Sequence, residues 1–281
     1  MPPESNEHTA RVRIFTPKEE FPFAGHPNVG TAWLVRLRGT LFGKEVNDLI
    51  TFEEKTGVVP IEIDAFPDTN RPRAAFLTAP EPWRVLVPDI PAAAAAEMLG
   101  LAPQDVLTAR HRPCVATAGL PFLIVQLASH DALAQSRGCP EAFNRLGGTL
   151  GASRVLAYVL GMETSGPPGI SLKVEARMHR ADGSEDAGTG SAACALVGLL
   201  SSTLPYVGQR SPGKVRGEQY VKVEISQGVA MGRPSLLFAE AKRTPLGLEK
   251  MGQGKWDVGK VRVGGACVPM FRGEVRPEIL E

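Results

Sequence analysis

Short apolar and alternating segments, broken by glycine and proline, dominate the chain and predict many strands with only a few helices. Residues 220–226 alternate cleanly between apolar and polar side chains, as a half-buried strand does. Similar runs predict further strands at residues 11–16, 49–53, 58–63, 74–78, 114–120, 122–127, 155–160, 172–178, 236–241 and 260–263.

Two apolar stretches that follow glycine-rich turns predict the main helices, at residues 27–37 and 191–200. Shorter helices are predicted at 92–99, 130–135 and 140–146, whereas residues 147–151 predict a flexible loop. Arg36 and Arg38 are interpreted as the solvated end of the first helix. The succession of strands, glycine turn and helix occurs once in each half of the chain, which indicates a duplicated α+β architecture.

Composition and charge argue against several classes of binding partner. The 281 residues carry a formal net charge of +1, which gives no electrostatic reason to expect nucleic acid or a membrane. We expect a cytoplasmic protein, because no apolar run could span a bilayer and the polar N-terminus lacks a secretory pattern. The cysteines are widely spaced and predict neither a metal site nor a disulfide framework: Cys114, Cys139, Cys194 and Cys267.

Both main helices are predicted to begin at turns whose backbone could hold an anion. A helix start offers unpaired N–H groups and a partial positive charge, and glycine lets a ligand come close. The second turn, Gly188-Thr189-Gly190-Ser191, matches a dinucleotide fingerprint only loosely, because the next acidic residue is Glu218, beyond several prolines and glycines. We therefore expect no NAD or FAD. An ordinary capped helix is the alternative interpretation.

Each turn has an ionisable residue beside it. His26, between Gly25 and Pro27, would present its ring at a helix start, where the dipole favours neutral imidazole able to relay a proton. Asp186 precedes the second turn, and an anion bound there would favour its protonated form, which suits acid–base work. A structural histidine and a solvated acidic turn are the alternatives.

A third tight turn, Gly232-Arg233-Pro234-Ser235, lies between two predicted strands. It is interpreted either as a plain hairpin connection or as a further source of backbone N–H groups and a guanidinium directed at an anion.

Four motifs spread over most of the chain are specific when found together. The first comprises residues 13–17, 21–27 and 30–32, and the second comprises 185–186 with 189–192. The third comprises 227–228 with 231–235, and the fourth comprises 261–265. Together they closely resemble the signatures of the PhzF-like phenazine-biosynthesis isomerase family.

The resemblance implies the diaminopimelate-epimerase-like fold, with two similar α/β halves, each a mixed sheet around a central helix, and an active-site cleft between them. We expect one half at residues 1–112 completed by 265–281, and the other at 113–264. The resemblance also implies chemistry without a cofactor, a small carboxylate substrate and a homodimer. His26 and Asp186 match the family's catalytic His and Asp. Substrate binding is expected at Gly25, Gly188, Thr189, Gly190, Ser191, Gly232 and Arg233.

Two departures from the family pattern matter. The family's catalytic Glu lies in a Ser-Glu-Thr segment upstream of the first signature, so this chain is interpreted as truncated at its N-terminus. Ala187 stands where the family usually has proline, which should loosen the turn that carries Asp186.

Four functions are therefore weighed. The leading one is an isomerase that moves a proton on a small carboxylate. A two-thiol racemase or epimerase is disfavoured, because neither turn carries a cysteine and Cys194 lies inside its helix. A non-catalytic homologue is favoured by the missing Glu. A rearrangement or cyclisation enzyme would act by positioning its substrate.

Overall fold

The structure is a computed structural model that describes residues 1–15, 19–69, 71–166, 169–205, 217–246 and 256–273. Contacts divide the chain into two compact units, residues 1–77 with 265–281, and residues 78–264. The boundary expected at residue 112 divides two homologous halves of the chain. The division at residues 77 and 78 follows contacts instead of homology, so the boundary at residue 112 stays a prediction.

The first unit is a small sheet with one helix packed on it. Its sheet has the order β1-β6-β7-β8, in which β1 pairs parallel to β6 and the other neighbours are antiparallel. Alternate residues such as Ile50, Phe52 and Ile61 face Ala32 and Trp33 of the helix and form the core. The elements are β1 (Ala10–Arg11), β2 (Ile14–Phe15), β3 (Glu20–Phe21), α1 (Gly25–Arg38), β4 (Thr40–Leu41), β5 (Lys44–Glu45), β6 (Leu49–Glu54), β7 (Gly57–Ala65) and β8 (Pro72–Thr78).

The second unit is built on a larger mixed sheet. Its order is β17-β16-β15-β13-β12-β11-β10-β9, with β14 beside β13, and only the β11·β12 and β13·β15 pairs are parallel. The elements are β9 (Arg84–Val87), α2 (Ala92–Met98), β10 (Cys114–Thr117), β11 (Pro121–Gln126), α3 (His130–Gln135), α4 (Pro140–Leu150), β12 (Arg154–Gly166), β13 (Gly169–Arg180), β14 (Glu185–Asp186), α5 (Gly190–Thr203), β15 (Gln219–Gln227), β16 (Ser235–Pro245) and β17 (Trp256–Gly265).

Strands β10 to β12 are covered on both faces. One set of alternating side chains, including Phe122 and Ile124, packs in the cluster that contains α5. The other set, including Leu123 and Val125, packs with α2, α3 and α4. Helix α5 is the central helix of this unit, since every residue from 192 to 201 is buried. Burial on both sides explains why β10 and β11 have continuous apolar sequences rather than alternating ones.

The structure confirms most predicted elements and corrects a few. Residues 147–150 belong to α4 instead of a flexible loop, because Leu146 and Leu150 pack against the core and outweigh the poor helix propensity of two glycines. Arg36 is buried and donates to Asp48 at 2.7 Å, so it is not solvated. The strand predicted at 11–16 is two short strands, and Thr16 lies outside the described residues.

Candidate functional site

The start of α5 leaves its first N–H groups open. Thr189 is the N-cap residue, but no side chain caps the helix. The N–H groups of Gly190 and Ser191 have no carbonyl four residues back within the helix, so they point out of its first turn. They stand at the positive end of the helix dipole, and this geometry suits the binding of a carboxylate.

Asp186 lies directly beside this helix start. It belongs to β14 and pairs with Met178 of β13, so the sheet fixes its backbone. Its Oδ2 accepts a hydrogen bond of 2.7 Å from the Thr189 hydroxyl and lies 3.5 Å from Nη2 of Arg180. Its side chain is one-third exposed (32%), and Oδ1 has no partner among the described residues. One oxygen is thus anchored and the other is open to a ligand.

The buried side chain of Gln227 holds the turn between Asp186 and α5. Its Nε2 donates to the backbone oxygen of Asp186 at 2.7 Å and to the Thr189 hydroxyl at 3.1 Å. Its Oε1 accepts from the backbone N–H of Thr189 at 3.2 Å. Gln227 is 1% exposed, so these bonds are shielded from water. We infer that Gln227 sets the direction in which the Asp186 carboxylate points.

The third turn packs closely against the second. Gly228 has φ +77°, and a Cβ there would lie 2.8 Å from the backbone oxygen of Ala187. A Cβ on Gly188 would meet Oγ of Ser235 at 3.1 Å. A side chain at position 228 would therefore require a shift of the backbone, whereas one at position 188 would require the Ser235 side chain to move by a few tenths of an ångström. The side chain of Arg233 is exposed, and no structural observation connects it to Asp186.

A largely buried ion pair supports the turn from the other side. Arg177 binds Glu185 through both arms of the carboxylate, at 3.0 Å and 2.7 Å. Its Nη1 also donates to three backbone oxygens at the end of α3, those of Leu133, Ala134 and Ser136. Glu185 precedes Asp186, so this ion pair connects β14 to α3. The side chain of Glu185 is only 12% exposed, which argues against the alternative interpretation of residues 185–186 as a solvated acidic turn.

His179 is buried next to this ion pair. Burial, followed by the charge of Arg177, lowers the pKa of His179 to about 4, so the ring is neutral near pH 7. The Ser136 hydroxyl donates to the Leu133 carbonyl at 2.7 Å. The contact of 3.0 Å between His179 Nε2 and Ser136 Oγ therefore has the ring as its donor. This assigns the proton of the neutral ring to Nε2.

The start of α1 in the first unit is also uncapped. Ala24 is the N-cap residue, and Pro27 has no N–H, so the open backbone donors of the first turn come from Gly25 and His26. The His26 ring is exposed and has no partner among the described residues. Anion binding at this turn stays a prediction. The placement of this turn and the Asp186 turn around one cleft stays a prediction.

The cysteines give no reactive thiol at either turn. Cys194 is fully inside α5, and burial raises its pKa to about 12. Burial also raises the pKa of Cys114 to about 12. Within the described ranges, no group of three or more His, Cys, Asp or Glu side chains is arranged to hold a metal ion. No described helix is both long enough and apolar enough to cross a membrane.

Known proteins share this fold. A PhzF-family protein of Bacillus anthracis matches 91% of this chain and 77% of its own, with a TM-score of 0.64 and 20% identity. The fold is therefore that of the PhzF and diaminopimelate-epimerase-like proteins. The family model described as "Phenazine biosynthesis-like protein" (PhzC-PhzF) matches residues 1–273. The chain belongs to this family.

The similar curated proteins are isomerases by name. An uncharacterized isomerase of Mesorhizobium japonicum is 30% identical over 277 residues, which cover 98% of this chain and 82% of the relative. The trans-2,3-dihydro-3-hydroxyanthranilate isomerase of Pseudomonas chlororaphis is 30% identical over 273 residues, covering 95% of this chain and 79% of the relative. This chain is accordingly an enzyme of the isomerase class.

Proposed function

We propose that the chain moves a proton between carbon atoms of a small carboxylate-bearing substrate without a cofactor. The observation that carries the proposal is the open Oδ1 of Asp186 beside the uncapped start of α5. One feature supplies a group that accepts and returns a proton, and the other supplies N–H donors for the substrate's carboxylate.

In the proposed reaction, the N–H groups of Gly190 and Ser191 bind the carboxylate and orient the neighbouring carbon. The Asp186 carboxylate takes a proton from one carbon and the resulting acid returns a proton to another, so the substrate keeps its formula. His26, with its exposed ring, is proposed as a second relay for the proton. The names of the relatives suggest trans-2,3-dihydro-3-hydroxyanthranilate as the first substrate to test.

Proton exchange tests this proposal directly. The protein is incubated with trans-2,3-dihydro-3-hydroxyanthranilate in deuterated buffer, and deuterium incorporation is followed by NMR and mass spectrometry. Asp186→Asn and His26→Ala are expected to fold and to lose incorporation. Asp182→Asn is the matched control, because Asp182 is an exposed carboxylate in the adjacent turn whose hydrogen bonds within the described part of the chain go to Ser184.

The result decides between catalysis and binding alone. Incorporation that survives in both variants would contradict the assigned roles. Absence of incorporation in the wild type, with the carboxylate still bound, would favour a non-catalytic homologue. The homodimer and the cytoplasmic location implied by the resemblance stay proposals, and light scattering of the purified protein checks the first.

A further inference from the structure

Arg180 is a half-exposed cation next to Asp186 that the sequence analysis did not single out. It is the last residue of β13, and its side chain is 45% exposed. Its backbone is fixed, because its N–H donates to Ser184 at 2.9 Å and its carbonyl accepts from Gly183 at 3.0 Å. Its guanidinium forms an ion pair with Asp186 through Nη2 and is also attracted by the nearby Asp182 carboxylate.

The contact between Arg180 and Asp186 is weak by geometry. The distance of 3.5 Å between Nη2 and Oδ2 exceeds the range of about 2.7–2.9 Å typical of a charge-assisted hydrogen bond. Both groups are also solvated, so the attraction between them is screened. The guanidinium can therefore leave Asp186 at little cost and turn its free N–H groups toward another anion.

We propose that Arg180 binds the carboxylate of the substrate and so determines specificity for anionic substrates. This inference rests on the proposed function and adds a side chain to the backbone donors of α5. The guanidinium binds one oxygen of the carboxylate while the N–H groups of Gly190 and Ser191 bind the other. A planar guanidinium matches a carboxylate better than an ammonium does.

Binding of a simple probe tests Arg180 without turnover. Anthranilate and its methyl ester are titrated by calorimetry into the wild type, Arg180→Gln and Arg180→Lys. The wild type is expected to prefer the acid, and Arg180→Gln should lower this preference about tenfold, the usual effect of one lost charge-assisted bond. Arg180→Lys keeps the charge and should keep part of the preference.

Arg154→Gln is the matched control. Arg154 lies opposite Arg180 on β12, and its replacement changes the net charge by the same amount. A preference that is unchanged in Arg180→Gln, or that falls equally in Arg154→Gln, would overturn the proposal. So would a wild type that does not distinguish the acid from the ester.

Failure of this inference and failure of the proposed function are separable. Deuterium exchange that depends on Asp186, together with an acid preference independent of Arg180, would reject the role of Arg180 alone. An acid preference that depends on Arg180, without exchange in the wild type, would reject catalysis and retain the binding residue. Where exchange is measured, Arg180→Gln should raise KM about tenfold for the acid and leave the ester unaffected.

Discussion

Replacement of Arg177 by methionine is expected to destabilise the second unit strongly. The change leaves the Glu185 carboxylate, only 12% exposed, without its cation, and three backbone oxygens of α3 lose their donor. Breaking a buried ion pair on one side costs about 3–5 kcal/mol, mainly because the remaining charge stays buried. That is a large part of the stability of an ordinary domain.

A double-mutant cycle separates the ion pair from simple loss of packing. Arg177→Met with Glu185→Leu removes both charges, so the double variant should be more stable than Arg177→Met alone by about 2 kcal/mol. Denaturation by urea is followed by the fluorescence of Trp83 and Trp256, which lie in the same unit as the pair.

The control for this cycle is an exposed ion pair. Arg84 binds Glu81 with both side chains about half exposed, so Arg84→Met should cost at most about 1 kcal/mol. An Arg177→Met protein within 1 kcal/mol of the wild type would refute the reasoning. A double variant less stable than Arg177→Met would do the same, because it would show that the unpaired carboxylate is not the source of the loss.

Two further predictions concern the surroundings of the same turn. Since the pKa of His179 falls to about 4 on folding, the unfolded chain binds more protons between pH 6.5 and 4, and stability is lost as pH falls through that window. Between pH 7.5 and 5 the free energy of unfolding should fall by about 2 kcal/mol. This fall should be absent from His179→Gln and present in His130→Gln, the exposed control. The same dependence of stability on pH in all three proteins would contradict the prediction. Gly228→Ala should lower the free energy of unfolding, measured by urea denaturation, by about 2–4 kcal/mol, because the new Cβ meets backbone atoms. Gly232→Ala should lower it by about 1 kcal/mol, because Gly232 has a similar φ but open space around it. Equal losses in the two variants would reject the packing argument.

The two helix starts were predictable because their signals are local. A glycine turn followed by an apolar stretch specifies where α1 and α5 begin within a short window of sequence, and the structure places both starts within two residues of the prediction. The fold class was accessible because four motifs matched one family. The roles of Asp186 and His26 remain predictions, since they depend on chemistry rather than on the position of a helix.

The supporting residues could not be identified from the sequence. Arg177 and Arg180 stand three positions apart on one strand, and neither has a local pattern that separates a buried ion pair from an exposed cation. Gln227 contacts Thr189 across 38 positions of sequence, a pairing set by the parallel register of β13 and β15. Gln227 stands at a strand end and within the third family motif, but neither feature shows which groups its side chain binds. Tertiary contacts decided each of these three cases.

The position of Cys194 separates this chain from racemases that use two thiols at the same helix starts. A thiol acts as a base only as the thiolate, and a pKa of about 12 leaves that form at about 1 part in 10⁵ at pH 7. Cys194 also lies in the interior of α5, among residues that contact the sheet. Asp186, by contrast, is one-third exposed at the turn itself, with one oxygen anchored and one open. In the proposed reaction, the proton moved at the start of α5 therefore passes through the Asp186 carboxylate and not through a thiol.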